Sequence, residues 1–248
     1  MVVDAHSHLG FSKIFNMGVS EEVLIGTMNA NAIQASIVMP AAGSDPVSTH
    51  DAIARLAEKH PGRIFGMISM TPLIGEEAYA REFRRCVHEL GFVAVKVHPI
   101  AHAVAPHLPV CDIVFALAKE ARIPVMVHTG TGAPFALPSL VIPRARQYPD
   151  LPIILAHAGF AIYTPEAIVV AQECPNVYLE PSWCRAGDIR RMVTSIGARR
   201  LMYGGDLPSN VPVELFKYRS LELSDEEYGL CVGGTAIALF RLPIGQMT

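Results

Sequence analysis

Eight short apolar runs, each followed by a stretch of helical period, recur from one end of this chain to the other. The runs are Val2–His6, Ala35–Met39, Ile64–Ser69, Phe92–Val97, Pro124–His128, Pro152–Ala156, Asn176–Leu179 and Leu201–Gly204. Between them lie helical patterns over Ser20–Asn29, Thr49–Glu58, Glu76–Glu89, Cys111–Ala121, Leu140–Tyr148, Pro165–Glu173, Gly187–Ile196 and Pro212–Leu221, with a last one near Asp225–Phe240. Thr49–Glu58 shows the period, with Ile53, Leu56 and Ala57 on one stripe and Asp51, Arg55 and Glu58 off it. Proline-containing turns (HPGR, YPDLP, CPNV) stop the helix just before the third, sixth and seventh runs. Strictly alternating units require a parallel sheet covered by helices. Eight of them predict an α/β fold of the (β/α)8 TIM-barrel type, and 248 residues suit one such barrel. No linker or composition break divides the chain, so residues 1–248 are read as a single domain.

The chain is 51% hydrophobic. No uninterrupted apolar run approaches the roughly 18 residues of a membrane-spanning helix. Strands buried on both faces account for the excess instead. A net charge of −3 with no basic block argues against nucleic acid and against a membrane surface. Five scattered cysteines, never spaced as CxxC, and the lack of a signal-peptide pattern point to a reducing cytoplasmic setting. Apolar helix faces leave a homodimer open.

The chemistry-bearing residues fall where the apolar runs end. In VVDAHSH, Asp4, His6 and His8 are spaced by two, and since a strand alternates faces all three point to the same side, here the barrel interior. His128 ends the fifth run, His157 the sixth and Asp206 the eighth. Any one of these is readily a satisfied polar residue, but jointly they occupy the face where barrel active sites are built. Histidine with aspartate suits Zn²⁺, and also Fe²⁺ or Mn²⁺. An ion held this way keeps a place for water and lowers its pKa toward ~7. Asp206 is placed to touch the ion and accept the water's proton. His157 is placed to steady the hydroxide or act as general acid or base.

The segments VDAHSH, GFVAVKVHP, VMVHTG, LAHAGF, NVYLEPSW, MYGGDLP and CVGGTAIALFRLP resemble, in order from Val3 to Pro243, the motifs of the amidohydrolase-related family that includes aminocarboxymuconate semialdehyde decarboxylase. The resemblance implies a barrel with one divalent ion, usually zinc. It also implies His6, His8, His128 and Asp206 as the ligands, with His157 beside the metal handling the proton or the substrate. Thr235 stands where the family usually has asparagine, and the chain is shorter than the family's decarboxylases.

Lys96 and His98 share one face of the fourth run, and Trp183 follows the seventh; these three are candidate substrate contacts. A metal-bridging, carboxylated Lys96 is the less favoured alternative. His102 and His107 read as solvated loop histidines, and His50, His60 and His88 as residues without a role. The leading reading is a metal-dependent hydrolase acting on a small amide, ester or lactone. The alternative is a metal-dependent non-oxidative decarboxylase of a small unsaturated or aromatic acid, for which Lys96 or Arg185 would face the carboxylate. A metal-binding protein without turnover ranks third.

Overall fold

A computed structural model of the chain describes residues 1–244; the last four residues of the expected single domain lie outside them. The strands are β1 (Val3–Ser12), β2 (Met17–Val19), β3 (Ala35–Pro40), β4 (Ile64–Ser69), β5 (Ala94–Val97), β6 (Val125–His128), β7 (Ile153–Ala156) and β8 (Val177–Glu180). They form one sheet in the order β2-β1-β3-β4-β5-β6-β7-β8. Every pairing is parallel except the β1–β2 hairpin. The eighth expected strand is not one. Leu201 bridges Leu179 of β8 and Asp206 bridges Ser7 of β1, so this segment carries the curled sheet's last strand toward its first by isolated pairs. Two glycines explain the loss of regular pairing. A Cβ on Gly204 would lie 2.6 Å from Glu180 Oε1 and 2.8 Å from His6 Cβ, so the chain passes here only as bare backbone.

The helices are α1 (Glu21–Ala30), α2 (Pro46–Lys59), α3 (Glu76–His88), α4 (Pro99–His102), α5 (Asp112–Ala121), α6 (Ile142–Gln147), α7 (Thr164–Glu173), α8 (Ala186–Ile196), α9 (Val211–Ser220), α10 (Asp225–Gly229) and α11 (Thr235–Phe240). Ser20 caps α1 by accepting from Val23 N, and Asp45 caps α2 by accepting from Ser48 N ahead of Pro46. The segment expected as one terminal helix is broken by a π turn at Leu230–Gly234. None of the helices among the described residues is long and apolar enough to cross a membrane.

Both sheet faces are buried. Val3, Ala5, Ile37, Met39, Met67, Ala94, Met126, Ile154 and Met202 form an inner cluster, into which Ala236 and Phe240 of α11 pack. Val38, Ile68, Val95, Val97, Val125, Val127, Leu155 and Leu179 pack outward against the helices. Each such side chain is worth about 1.5–3 kcal/mol when fully buried, which makes this double layer the main source of stability. All five cysteines are buried and unpaired.

The expectation that Asp4, His6 and His8 share one face is corrected by the structure. Asp4 pairs with Ser36 and Ser7 with Val38, so β1 spends three steps where β3 spends two. That extra residue is a β-bulge, and it lets Ala5 and His6 face inward in succession. Asp4 instead ties β1 to the 201–206 segment, accepting from Gly205 N (2.9 Å), His6 N (3.0 Å) and Ser7 Oγ (2.8 Å).

Candidate metal centre and active site

The bulge aims His6 and His8 at the residue that ends the last segment. Asp206 Oδ1 lies 3.4 Å from His6 Nε2 and 3.0 Å from His8 Nε2. The other ring nitrogens fix the tautomers. His6 Nδ1 donates to Glu180 Oε2 (2.7 Å), and His8 Nδ1 to the Pro40 carbonyl (3.3 Å). With Nδ1 donating in each ring, each Nε2 can turn its lone pair toward the Asp206 carboxylate. Three acceptors converging on one point call for a cation between them. The set suits a borderline divalent ion, and the carboxylate behind His6 is the usual means of orienting such a ligand. Among the described residues two other groups have donor atoms this close. In one, His50 spends both nitrogens, on Glu82 Oε1 (2.8 Å) and on Ser69 N (3.2 Å), and has no lone pair to offer. In the other, Glu180 already accepts from His6, Ser182 and the His157 backbone.

Lys96 brings a cation to the triad, its Nζ 3.1 Å from His6 Nε2. Burial lowers its pKa to about 8. Burial and the Lys96 charge push His6 well below the ordinary imidazole range. Burial alone would raise the Asp206 carboxyl, but the imidazoles around it hold it well below its usual value. Trp183 Nε1 donates to Asp206 Oδ2 at 2.7 Å, and both residues have left-handed backbone (φ +67° and +61°). Strain of this kind persists only where the surroundings enforce it, as at an active site.

His157 begins a relay. Its Nδ1 donates to Ser182 Oγ (2.8 Å), which donates to Glu180 Oε2 (3.1 Å), so its Nε2 is unprotonated. Its ring lies 5.0 Å from that of His6 and 4.8 Å from that of His128. His128 lines the same cavity but is outside the close donor triad, because its Nε2 donates to the Thr131 carbonyl (2.8 Å). His98 stacks on His128, with ring centroids 4.1 Å apart. Arg185 is turned away, mostly exposed and paired with Asp188 at the start of α8. His102, read from the sequence as solvated, is buried, and desolvation lowers its pKa to about 3.

Above the triad opens a cavity of about 410 Å³. His6, His8, Lys96, His98, His128, His157 and Asp206 make its floor. Its walls are Ile14, Phe15, Met17, Val19, Ile100, Phe160, Trp183 and Leu207. Phe160 and Trp183 stack with centroids 6.0 Å apart. The sequence reading missed Glu180 as a positioning group, although a glutamate ending an apolar strand run was a signal. It also missed the β1–β2 hairpin that supplies a wall.

The fold and this inward cluster of donors at the strand ends define a metal-dependent α/β enzyme architecture. The Amidohydrolase family model matches residues 32–242, and the chain belongs to that family. A curated relative, gamma-resorcylate decarboxylase from Polaromonas sp. (strain JS666 / ATCC BAA-500), is 25% identical over a gapped alignment of 273 residues that covers 89% of this chain and 83% of the relative. Solved structures share the fold. A 2,6-dihydroxybenzoate decarboxylase complexed with 2,6-dihydroxybenzoate superposes with a TM-score of 0.75 at 16% identity, covering 97% of this chain and 99% of that one. The 5-carboxyvanillate decarboxylase of Novosphingobium aromaticivorans DSM 12444, complexed with manganese and 4-hydroxy-3-methoxy-5-nitrobenzoic acid, gives 0.78 at 18% identity, covering 98% and 96%.

Proposed function

We propose that this chain is a (β/α)8-barrel enzyme that removes CO2, without oxidation, from a small aromatic acid, using one divalent ion. The sequence alone ranks hydrolysis first. The observation that carries the change is the cavity itself, whose apolar and aromatic walls suit a flat ring. The decarboxylases among the relatives support the same reading.

His6, His8 and Asp206 would hold the ion, with His128 contributing through its free Nδ1; zinc was expected, and the manganese in a solved relative makes Mn²⁺ an equal candidate. When bound, the ion supplies positive charge that fixes the substrate's oxygens and draws electron density from the ring. The protein's own groups do the rest. Phe160 and Trp183, stacked on each other, would present one aromatic wall against which the ring lies. Asp206, gripped through Oδ2 by Trp183, handles the proton at Oδ1. Held ionised, it would take a proton from a substrate hydroxyl and pass it to the ring carbon that bears the carboxylate, returning to the carboxylate form. The bond to the carboxylate then breaks, its electron pair stays with the ring, and CO2 departs. His157, its proton fixed on Nδ1, presents the Nε2 lone pair to a substrate hydroxyl.

The test is turnover of hydroxybenzoates by metal-loaded protein in D2O. Release of CO2 with deuterium at the vacated ring position is expected. Incorporation of ¹⁸O from labelled water into a product, without CO2, would return the assignment to hydrolysis.

A further inference from the structure

Glu214, in the first turn of α9, is 1% exposed yet does not line the substrate cavity. Its Oε1 accepts from the Trp183 backbone N–H (2.8 Å), from Asn210 Nδ2 (3.0 Å) and from Lys217 Nζ (2.6 Å). A carboxylate this deep persists only when paired and hydrogen-bonded, and Lys217 supplies the counter-charge one turn along the helix. Asn210 stands just before α9, where an asparagine ordinarily caps the helix, but its side chain makes no cap bond. Its amide gives one hydrogen to Glu214 and the other to the Gly205 carbonyl (3.1 Å). Gly205 is fixed on its other side too, its N–H donating to Asp4 Oδ1 (2.9 Å).

These bonds close a ring. From Asp206 Oδ2 it runs through the Trp183 indole and backbone to Glu214, Asn210 and the Gly205 carbonyl, and returns to Asp206 along the chain. Trp183 and Asp206 both sit at positive φ, a conformation that is costly for a residue with a side chain and needs outside support. The ring holds one of them by its own N–H and the other by the carbonyl of the preceding peptide. The last torsion of an aspartate is broad, so its carboxylate turns freely unless it is gripped. Here the grip on Oδ2 leaves Oδ1 3.4 Å from His6 Nε2 and 3.0 Å from His8 Nε2.

We propose that Glu214 and Asn210 are positioning residues, a clamp at the start of α9 that sets the Trp183 indole against the Asp206 carboxylate and so aims Oδ1 between His6 and His8. The clamp rests on the role given to Asp206 in the decarboxylase reading. Neither residue lines the substrate cavity, so both act through Trp183 and Asp206.

Trp183 is the only tryptophan, so ¹⁵N-labelled protein gives one indole N–H resonance. Its hydrogen exchange reads the Trp183–Asp206 bond without any turnover. The experiment measures that exchange on metal-free and zinc-loaded protein for wild type, Glu214→Ala, Glu214→Gln and Asn210→Ala. Each alanine variant should speed indole exchange about tenfold, the loss of one hydrogen bond to a charged group. Glu214→Gln keeps an acceptor for Trp183 and should recover most of the difference. Turnover separates aim from mere stability. With a hydroxybenzoate that releases CO2, Glu214→Ala should lower kcat about tenfold with KM within about threefold. In a Trp183→Phe background the same substitution should cost less than about threefold further, because the indole it steers is gone. Asn210→Ala leaves Glu214 paired with Lys217, so it decides the matter if Glu214→Ala does not fold. Indole exchange unchanged in the alanine variants overturns the clamp, and so does a full tenfold further loss in the Trp183→Phe background. Faster exchange in protein that releases no CO2 from any acid upholds the clamp and removes the decarboxylase reading alone.

Discussion

Trp183 Nε1 donates to Asp206 Oδ2 at 2.7 Å, joining two residues whose backbones both sit at positive φ. Trp183→Phe keeps a ring against Phe160 and removes only the donor. It should lower kcat/KM about tenfold or more, as expected for a hydrogen bond to a charged group, with little change in Tm. Asp206→Asn removes the proposed proton carrier at constant volume. It should cost about 10²–10⁴-fold in kcat, far more than it costs folding. Kinetics and thermal melts on the same preparations check both.

Glu180 accepts from His6 Nδ1 at 2.7 Å, and burial pushes its carboxyl up to about 7. Glu180→Gln weakens the group that holds the His6 tautomer. Metal affinity, read by competition with a chelator, should fall about 10–100-fold. Unchanged affinity would mean that His6 needs no such support.

Phe15 lines the substrate cavity from the β1–β2 hairpin while remaining 61% exposed. In the proposed complex it would meet the substrate's ring and none of the reacting atoms. Phe15→Ala should raise KM several-fold with kcat nearly constant, the pattern of lost uniform binding. A fall in kcat at constant KM would place the hairpin in the chemical step.

Acid should destabilise the metal-free protein. Burial lowers His102 to about 3 and His128 to about 4, and holds His6, His98 and His157 well below the ordinary ~6.5. Below that value the unfolded chain binds protons that the folded chain refuses. The contribution of these groups is therefore complete above pH 6.5 and is lost as pH falls toward 4, by about 1.4 kcal/mol per unit for each group. Asp4 and Glu180, pushed up to about 7 by burial, act with the opposite sign: the folded chain holds their protons between about pH 4 and 7. The histidines outnumber them. Urea midpoints should fall from pH 7.5 to pH 5, and a flat or rising midpoint would contradict this balance.

The apolar runs announced seven of the parallel strands because burial on both faces leaves little room for polar residues except at their ends. For the same reason His128, His157 and Asp206 stood out there. What stayed hidden depended on geometry that spacing does not encode. One inserted residue in β1 placed His6 beside Ala5 and sent Asp4 to Gly205. Gly204 and Gly205 turned an expected strand into two isolated bridges. His50 and His102 looked idle because their partners, Glu82 and Ser69, lie 32 and 33 residues away. Whether a polar residue is solvated or locked in a buried network is a tertiary fact.

Metal content per chain decides whether His6, His8 and Asp206 hold a cation as proposed. Elemental analysis of tag-free protein should find about one divalent ion per chain in the wild type and little in a His6→Ala/His8→Ala double variant that still melts cooperatively. Wild type without tightly held metal, indistinguishable from the variant, would mean that these side chains serve the fold alone.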